Sequence, residues 1–160
     1  MKTRTWKTLV TAALLGPALV LVGCKSDGGS GSEAPAPTPT LAQPVEMVES
    51  VNGDSPALKS IGAMLIKTQA QYDALGDADI FPGGLDFTKH DLVIVALGQQ
   101  PTGGYSIDIT SIQRVGDELA ISGKAIRPGE GDAVTQAITH PYAAVIIPNT
   151  DAKTVVPYID

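Results

Sequence analysis

Cysteine is almost absent from this chain of 160 residues, and its scarcity excludes several kinds of site. Cys24 is the only cysteine, so no disulfide can form within the chain. If Cys24 is used as argued below, no thiolate is left to serve as a nucleophile or a metal ligand. The folded part must therefore be stable through its apolar core alone.

Basic residues are also few, with 11 Lys and Arg against 17 Asp and Glu. Three of the 11, Lys2, Arg4 and Lys7, lie at the very start, so the chain after residue 23 has a formal charge of 8 − 17 = −9. Nucleic acids and anionic lipids are bound by basic patches. The charge therefore argues against a nucleic acid or an anionic lipid surface as the partner, and we expect no nucleic-acid binding.

Catalytic motifs are missing. The sequence has no HExxH, GxSxG or P-loop. His90 lies between charged residues and fits a solvated turn, whereas His140 precedes a proline and fits a structural or loop position. A triad of Ser106 or Ser122 with His140 and an aspartate is open in principle, but nothing in the spacing favours it. We expect no enzyme and no catalytic residue.

Two acidic loops are candidates for a cation site. Glu130 and Asp132 lie in GEGD, and Asp77, Asp79 and Asp86 lie in GDADIFPGGLD. Calcium takes about six to eight oxygen ligands, and neither loop has the spacing of a calcium loop with a terminal glutamate. We expect no dedicated metal site and no cofactor.

The first 23 residues have the layout of a secretory signal peptide. A basic start is followed by an apolar stretch, Leu9–Val22, which is shorter than a membrane-spanning helix requires. The sequence LVGC at its end resembles the lipobox of bacterial lipoproteins, which implies cleavage before Cys24 and acylation of that residue. An ordinary signal peptide followed by a chance cysteine is the alternative.

The next segment, 24–44, is predicted to tether a lipidated Cys24 to a domain. Its Gly/Ser-rich and Pro/Ala/Thr-rich sequence lacks the apolar residues needed for a core. We expect the protein to lie in the cell envelope, anchored in a lipid bilayer by the acylated Cys24. Lys25 replaces the aspartate that resembles an inner-membrane retention signal, which favours the outer membrane.

Residues 45–160 have a globular composition and are the length of one domain. Alternating or apolar runs predict about seven short strands, at 45–51, 63–67, 92–97, 105–109, 111–115, 119–126 and 143–148, with an edge strand containing Pro157 at the end. Gly116-Asp117 predicts a hairpin, and Thr68 is predicted to cap a short helix at 69–75. The prediction is a mainly β domain, an antiparallel β-sandwich or a barrel-like domain, with one short helix.

The stretch GQQPTGGYSIDI, residues 98–109, interrupts two strong strands with uncharged and flexible residues. Pro101 restricts the backbone, and Gly103-Gly104 permits unusual conformations or close approach. A simple hairpin would need only about two such residues. The loop is therefore either a plain turn or a binding surface presented on a rigid β scaffold.

Residues 86–109 and 127–148 resemble the C-terminal domain of the PrcB family, with a match that runs from Phe81 to Pro148. The most specific pieces are PTGGY at 101–105, the segment from Pro128 to Ala137, and Pro141-Tyr142. This family comprises bacterial lipoproteins named for a subunit of a surface protease complex. The resemblance implies a protein that binds or helps to assemble a partner, which could be a protease, and that has no catalytic group.

The sequence QPTGGY, residues 100–105, also resembles, more faintly, the Asn-Pro-Thr-Thr-Gly-Tyr loop of chagasin-type cysteine protease inhibitors. Pro101, Thr102, Gly104 and Tyr105 match, whereas Gln100 and Gly103 differ. The likeness implies inhibition as an alternative to assembly. A hydrolase and a purely structural envelope lipoprotein are further alternatives.

Three Pro/Gly segments, 99–104, 127–132 and 139–142, border strong strands and would form one surface if they lie at one end of the domain. The alternative is that Tyr105 and Tyr142 are core residues and that the loops merely connect strands. The predicted partner-binding residues are Gln100, Pro101, Thr102, Gly103, Gly104, Tyr105, Pro128, Gly129, His140, Pro141 and Tyr142.

Overall fold

A computed structural model of the chain describes residues 41–76, 80–81 and 84–160. The described part contains eight strands and one helix. They are β1 (Gln43–Val45), β2 (Glu49–Asp54), β3 (Ile61–Ile66), α1 (Gln69–Asp73), β4 (His90–Leu97), β5 (Ser106–Val115), β6 (Glu118–Ile126), β7 (Pro141–Pro148) and β8 (Thr154–Ile159).

The strands form two four-stranded sheets that pack face to face. Sheet A has the order β1-β5-β6-β8 and sheet B has the order β2-β7-β4-β3. The two sheets do not join into a closed barrel. The prediction of a mainly β domain with a short helix is confirmed, and the structure decides between its two forms in favour of the sandwich.

One strand pair departs from the predicted antiparallel arrangement. β8 pairs with β6 in parallel, with Glu118 opposite Thr154 and Gly123 opposite Ile159. The chain reaches β8 from β7, in the other sheet, and arrives at the end of sheet A where β6 begins. There the amides of Lys153 and Thr154 donate to the carbonyl oxygen of Asp117, at 2.7 and 3.3 Å. A strand that starts beside the start of β6 must run parallel to it.

Sheet B is covered on both faces, which explains why β4 and β7 are apolar at nearly every position. Val93, Val95, Val145 and their neighbours face sheet A in one buried cluster. Leu92, Ile94 and the other alternate residues face a second cluster, which the helix and the segments around Leu58 and Phe81 cover. A strand buried on both faces loses the polar alternation of a half-exposed strand. The fold therefore has three layers.

Local signals were read correctly in most places. The Thr68 hydroxyl caps α1 by accepting from the amide of Gln71 at 3.3 Å, and Gly76 follows the helix with φ +80°. The helix is two residues shorter than predicted because it ends at Asp73. The predicted strand at 45–51 is wrong, since the run divides between β1 in sheet A and β2 in sheet B. β1 also begins at Gln43, inside the segment predicted as tether.

The two ends of the sandwich differ. The loop end carries the segments 55–60, 98–105 and 127–140, which follow or precede β2, β3, β4, β5, β6 and β7. The hairpin end carries the Gly116-Asp117 turn and residues 149–153. Gln43 pairs with Arg114, so the chain also enters β1 at the hairpin end. The N-terminal connection and the loop end therefore lie at opposite ends of sheet A.

The predicted signal peptide, Cys24 and the tether up to residue 40 lie outside the described residues, as do Asp77 and Asp79. None of the helices in the described ranges is long and apolar enough to cross a membrane.

Candidate functional site

The segment 98–105 is a clamped loop, not a simple turn between two paired strands. Gln100 forms an isolated antiparallel bridge with Thr139, through N–H···O bonds of 2.8 and 3.1 Å. The Gln100 side chain also donates to the carbonyl oxygen of Leu97 at 2.9 Å. The pairing of β4 with β7 thus resumes beyond Gly98. In β4 the register places Ala96 opposite Tyr142, and the bridge between Gln100 and Thr139 is shifted from that register by one residue.

Two further hydrogen bonds hold the tip of this loop. The Thr139 hydroxyl donates to the carbonyl oxygen of Thr102 at 2.8 Å, and the amide of Gly103 donates to the carbonyl oxygen of Thr135 at 3.0 Å. The segment 134–139 therefore runs beside the loop and fixes its backbone. A loop fixed before binding loses less conformational entropy when it binds.

Both adjacent glycines are required by packing. A Cβ on Gly103 would lie 2.3 Å from the Thr135 hydroxyl oxygen. Gly104 has φ +84°, and a Cβ there would lie 2.9 Å from Val134 and 3.1 Å from Pro128. Residues 128 and 134, far away in the sequence, thus contact the predicted loop. The glycines allow this close approach of backbone to side chain.

A hollow of about 290 Å³ opens beside this loop. Its walls come from three places in the chain: the end of β2, the loop tip and the start of β7. The lining residues are Asn52, Gly53, Asp54, Gly103, Gly104, Tyr105, Ser106, Thr139, Pro141 and Tyr142. Five of the eleven predicted binding residues line it, so the structure brings the first and third predicted segments together.

The third segment is less exposed than its sequence suggests. Pro141 and Tyr142 are the first residues of strand β7, and His140, Pro141 and Tyr142 are all buried. The His140 backbone is paired on both sides, since its amide donates to the Asp54 carboxylate and its carbonyl accepts from Ser55 at 3.1 Å. We expected a loop at 139–142. Proline and histidine are typical of loops, but here they begin an inner strand of sheet B.

The two tyrosines occupy different environments. Tyr142 is part of the apolar cluster under the helix, and its hydroxyl lies so close to Gly53 that a Cβ there would be 2.7 Å away. The reading of Tyr142 as a core residue is therefore correct. Tyr105 is half-buried and lines the hollow, so its ring is accessible from that side.

The second predicted segment, 127–132, lies next to the loop but contributes mainly support. Pro128 is half-buried and contacts Gly104, whereas Gly129 is exposed. The amide of Gly129 donates to the Asp132 carboxylate at 2.7 Å, which closes a small turn. Within the described ranges, no group of acidic, His or Cys residues is arranged to hold a metal ion.

The exposed part of the site is uncharged. Gln99, Pro101 and Gly104 are exposed, and Gln100, Thr102 and Tyr105 are half-buried. Charged residues lie around it: Asp54 in the hollow, Asp108 bonded to Asn52 of the hollow, Glu130 and Asp132 in the second segment, and Arg127 beside Gln100 and Tyr105. The loop itself thus offers an uncharged polar surface with charges at its margin, which suits contacts with another chain.

The predicted binding residues did not include Asn52, Asp54, Val134, Thr135 or Thr139. Val134 and Thr135 lie in the segment 128–137 that carried part of the resemblance, and Thr139 begins the predicted loop 139–142, but none of them was singled out. The segment 134–139 has no secondary structure of its own apart from the bridge at Thr139. A further signal was available in the apolar runs at 92–97 and 143–148. If these two runs pair, the chain just beyond them brings residues near 100 and 139 together.

Comparison with known proteins supports one relationship. Residues 92–148 match the family model described as PrcB C-terminal. The match extends from β4 to β7 and includes the clamped loop and the segment 134–139; it begins later than the Phe81 expected from the sequence. Searches of curated proteins and of solved structures found no match. The family match confirms the resemblance and is consistent with a module associated with a protease complex.

Proposed function

Since residues 92–148 match the PrcB C-terminal family, we propose that this chain is a lipid-anchored envelope protein whose β-sandwich binds a protein partner through its loop end. The partner is a protease or another subunit of a protease complex. The chain supplies binding or assembly, and the partner supplies any catalysis.

The observation that carries this proposal is the rigid, uncharged loop at 98–105. Its backbone is fixed by the bonds from Thr139, Thr135 and Gln100 described above. A stable hairpin needs no such clamp. An uncharged loop can enter a partner's groove without burying an unpaired charge. Burying such a charge would cost on the order of several kcal/mol.

The anchoring part of the proposal rests on the sequence around Cys24. Acylation there would attach the chain to a bilayer, and Lys25 favours the outer membrane. The chain enters β1 at the hairpin end, so the loop end would face away from the bilayer. This orientation suits a partner met above the membrane surface.

A hydrolase is the less favoured function because of the position of its one candidate base. His140 is only 8% exposed, and its backbone is fixed by Asp54 and Ser55. A general base must reach the proton that it abstracts. Purified protein should therefore turn over no ester or peptide substrate, and His140→Gln should change its stability without changing any activity.

Inhibition of a cysteine protease is a second candidate function. The observation that favours it is a PTGGY loop at one end of a β-sandwich, beside a half-buried tyrosine. A papain-type enzyme assayed with increasing amounts of the protein distinguishes the two functions. Loss of papain activity that Thr102→Lys reverses would favour inhibition, whereas unchanged activity leaves assembly as the function.

The test of partner binding uses a charge placed on the exposed loop. Gly103→Asp is unsuitable because its Cβ would meet Thr135, so Thr102→Lys is the better variant. Gln113→Lys, on the exposed face of β5 towards the hairpin end, is the matched control. Crosslinking and mass spectrometry on intact cells would identify the partner first.

We expect Gln113→Lys, an exposed substitution, to unfold within about 0.5 kcal/mol of the wild type. Thr102 is half-buried, so Thr102→Lys should cost somewhat more, but the loop should stay folded because the part of Thr102 that joins the clamp is its backbone carbonyl oxygen. Only Thr102→Lys should lose the crosslinked partner. Equal capture by the wild type and Thr102→Lys would overturn the loop-end proposal. Unfolding of Thr102→Lys alone would show that the stretch is a structural turn.

The anchor is tested separately. Radiolabelled palmitate should enter the wild-type chain and should not enter Cys24→Ala. Equal incorporation into both chains would refute lipidation at Cys24 and leave the binding proposal intact.

A further inference from the structure

A second, apolar cleft lies where the two sheets part between β3 and β8. It has a volume of about 300 Å³ and is lined by residues of β3 and β4 on one side and of β6 and β8 on the other. The lining residues are Ile61, Gly62, Val95, Ala96, Leu97, Ala125, Arg127, Pro157, Ile159 and Asp160. Ile61 is 78% exposed at its mouth, so its side chain is available for contact.

The cleft is bordered by a sheet edge that lacks the usual protection. β1, β8 and β2 are the other edge strands; β1 contains Pro44, β8 contains Pro157, and β2 contains Glu49 and Asp54. Prolines and charges on an edge strand discourage pairing with another chain. The sequence of β3, IGAMLI, has neither. Among the described strands β3 pairs only with β4, so its outer edge is a template for one more strand.

The cleft also has one cation. Arg127 lines the cleft and the smaller hollow beside it, which is bounded by Gln100 and Tyr105. Arg127 forms none of the ion pairs found within the described ranges. A guanidinium group binds a carboxylate through two parallel hydrogen bonds. Asp160 lines the cleft as well, but it does not line the smaller hollow.

We infer that the β3 edge and the adjoining cleft bind an extended peptide segment of a protein partner, with apolar side chains at alternate positions and one carboxylate. The peptide backbone pairs with the outer edge of β3. Alternate apolar side chains enter the cleft against Leu97, Pro157 and Ile159. The carboxylate of the peptide pairs with Arg127.

This mode follows from general properties of sheets. An added strand gains affinity from main-chain hydrogen bonds and specificity from pockets that take every second side chain. The cleft provides such a pocket beside an unprotected edge. The inference rests on the proposed function only in requiring a protein partner, and it names the segment of the partner that is recognised.

The experiment selects binders without assuming the partner's identity. A random peptide library displayed on phage is panned against the full chain in detergent micelles, and the enriched peptides are synthesised. We expect alternating apolar residues with an acidic residue. An N-methyl scan of the best peptide should lose binding at every second amide, because only alternate amides of an added strand face β3.

Two pairs of variants locate the site. Ile61→Asp should abolish peptide binding, while Val48→Asp, which is also an exposed apolar position at 52%, should leave it unchanged. Arg127→Gln should weaken binding by about tenfold, the loss expected for one charge-assisted contact. Lys124→Gln, at an exposed cation of β6 three residues before Arg127, should have no such effect.

Several outcomes would overturn the inference: no enriched peptide, enrichment of basic in place of acidic peptides, no alternation in the N-methyl scan, or equal binding by wild type and Ile61→Asp. If the selected peptides bind Ile61→Asp but no longer bind Thr102→Lys, recognition lies at the loop end. That result refutes the inference while it supports the proposed function. If Thr102→Lys loses partner capture but binds the peptides normally, the result supports both the proposed function and the inference.

Discussion

At the residue scale, Gly104 shows how a short motif acquires a fixed shape. Its φ of +84° lies in the left-handed region, and Val134 and Pro128 approach the position where a Cβ would be. The sequence predicted flexibility at Gly103-Gly104, and the structure places there a rigid contact between three segments. The difference arises because close approach depends on residues about 30 positions away, which local sequence does not reveal.

Replacing Gly104 tests this contact against a matched glycine. Gly131 also has a positive φ, +90°, but nothing lies within 4 Å of its Cβ position. Gly131→Ala should cost only the backbone strain, about 1 kcal/mol, whereas Gly104→Ala should cost more, about 2–3 kcal/mol. Urea unfolding of both variants measures the difference. Equal losses would show that the packing of Val134 and Pro128 against Gly104 is unimportant.

Asp86 has the clearest pH-dependent contribution in the described part of the chain. The Thr88 hydroxyl, then Lys89 and the Thr88 amide, lower the pKa of this exposed carboxyl from 3.8 to about 2. A carboxyl with a depressed folded pKa contributes stability above its unfolded pKa and loses it as the pH falls through the folded value. The contribution of Asp86 is therefore present above about pH 4 and disappears towards pH 2.

Thr88→Val should raise the pKa of Asp86 towards 3.8, because it removes the largest cause of the shift. A ¹³C NMR titration of the side-chain carboxyl measures this directly. The variant should also lose less stability than the wild type when the pH falls from about 4 to 2. An unchanged titration would show that the Thr88 hydroxyl does not donate to Asp86 in solution.

At the element scale, the structure explains which strands could be predicted. The Gly116-Asp117 hairpin, the apolar strands β4 and β7 and the edge position of the Pro157 strand were correct because each depends on local residues. The division of 45–51 and the parallel pairing of β8 depend on which sheet the chain enters next. The segment THPY was expected to be a loop because proline suggests one, but its second half, Pro141 and Tyr142, pairs with β2 as the start of β7, and Tyr142 is buried.

One buried charge joins three elements near the hairpin end. The Asp91 side chain is 2% exposed and lies 3.2 Å from the Lys67 ammonium, and it accepts from the amide and hydroxyl of Thr150 at 2.9 and 3.0 Å. Lys67 also donates to the carbonyl oxygens of Thr150 and Ala152. This network connects the residue after β3, the first part of β4 and the β7–β8 connection.

Removing one charge of this network should be costly. Asp91→Ala leaves Lys67 without its carboxylate and the Thr150 amide without an acceptor, and it should lower the free energy of unfolding by about 3 kcal/mol. Lys153→Ala, which breaks the exposed pair with Asp117, should cost much less than Asp91→Ala, because solvent screens an exposed ion pair. Chemical denaturation of both variants gives the comparison. If Asp91→Ala lowers the free energy of unfolding by less than about 1 kcal/mol, the network does not have this structural role.

At the scale of the whole molecule, sequence reasoning reached the class of fold and one end of the site. Composition and alternation predicted a β domain, and the chemistry of the PTGGY loop marked residues 100–105. The three-layer arrangement and the support from 134–139 could not be predicted, because they depend on contacts between segments distant in the sequence. The open cleft at β3 was missed for the same reason.

The opposition of the two ends gives a prediction for the intact molecule. Cysteines placed at Asp151, near the hairpin end, and at Glu130, near the loop end, can each be coupled to a polyethylene glycol maleimide, because Cys24 is the only native cysteine. Both positions are exposed. The polymer at Glu130→Cys should block partner capture, and the same polymer at Asp151→Cys should not. Blocking by both, or by Asp151→Cys alone, would place the contact surface elsewhere.

If the chain is lipid-anchored, the position of β1 also bears on how far from the bilayer its loop end lies. From the level of Arg114, where the chain enters, to Ser106 at the loop end, β5 rises by about 25 Å at roughly 3.3 Å per residue. If Cys24 carries the lipid, the sandwich adds this fixed length to whatever distance the segment 24–40 spans. A partner would be met no lower than one sandwich length above the headgroups when the sandwich stands upright. Changing the length of that segment would alter the range of heights that the protein samples, without altering the affinity of the site itself.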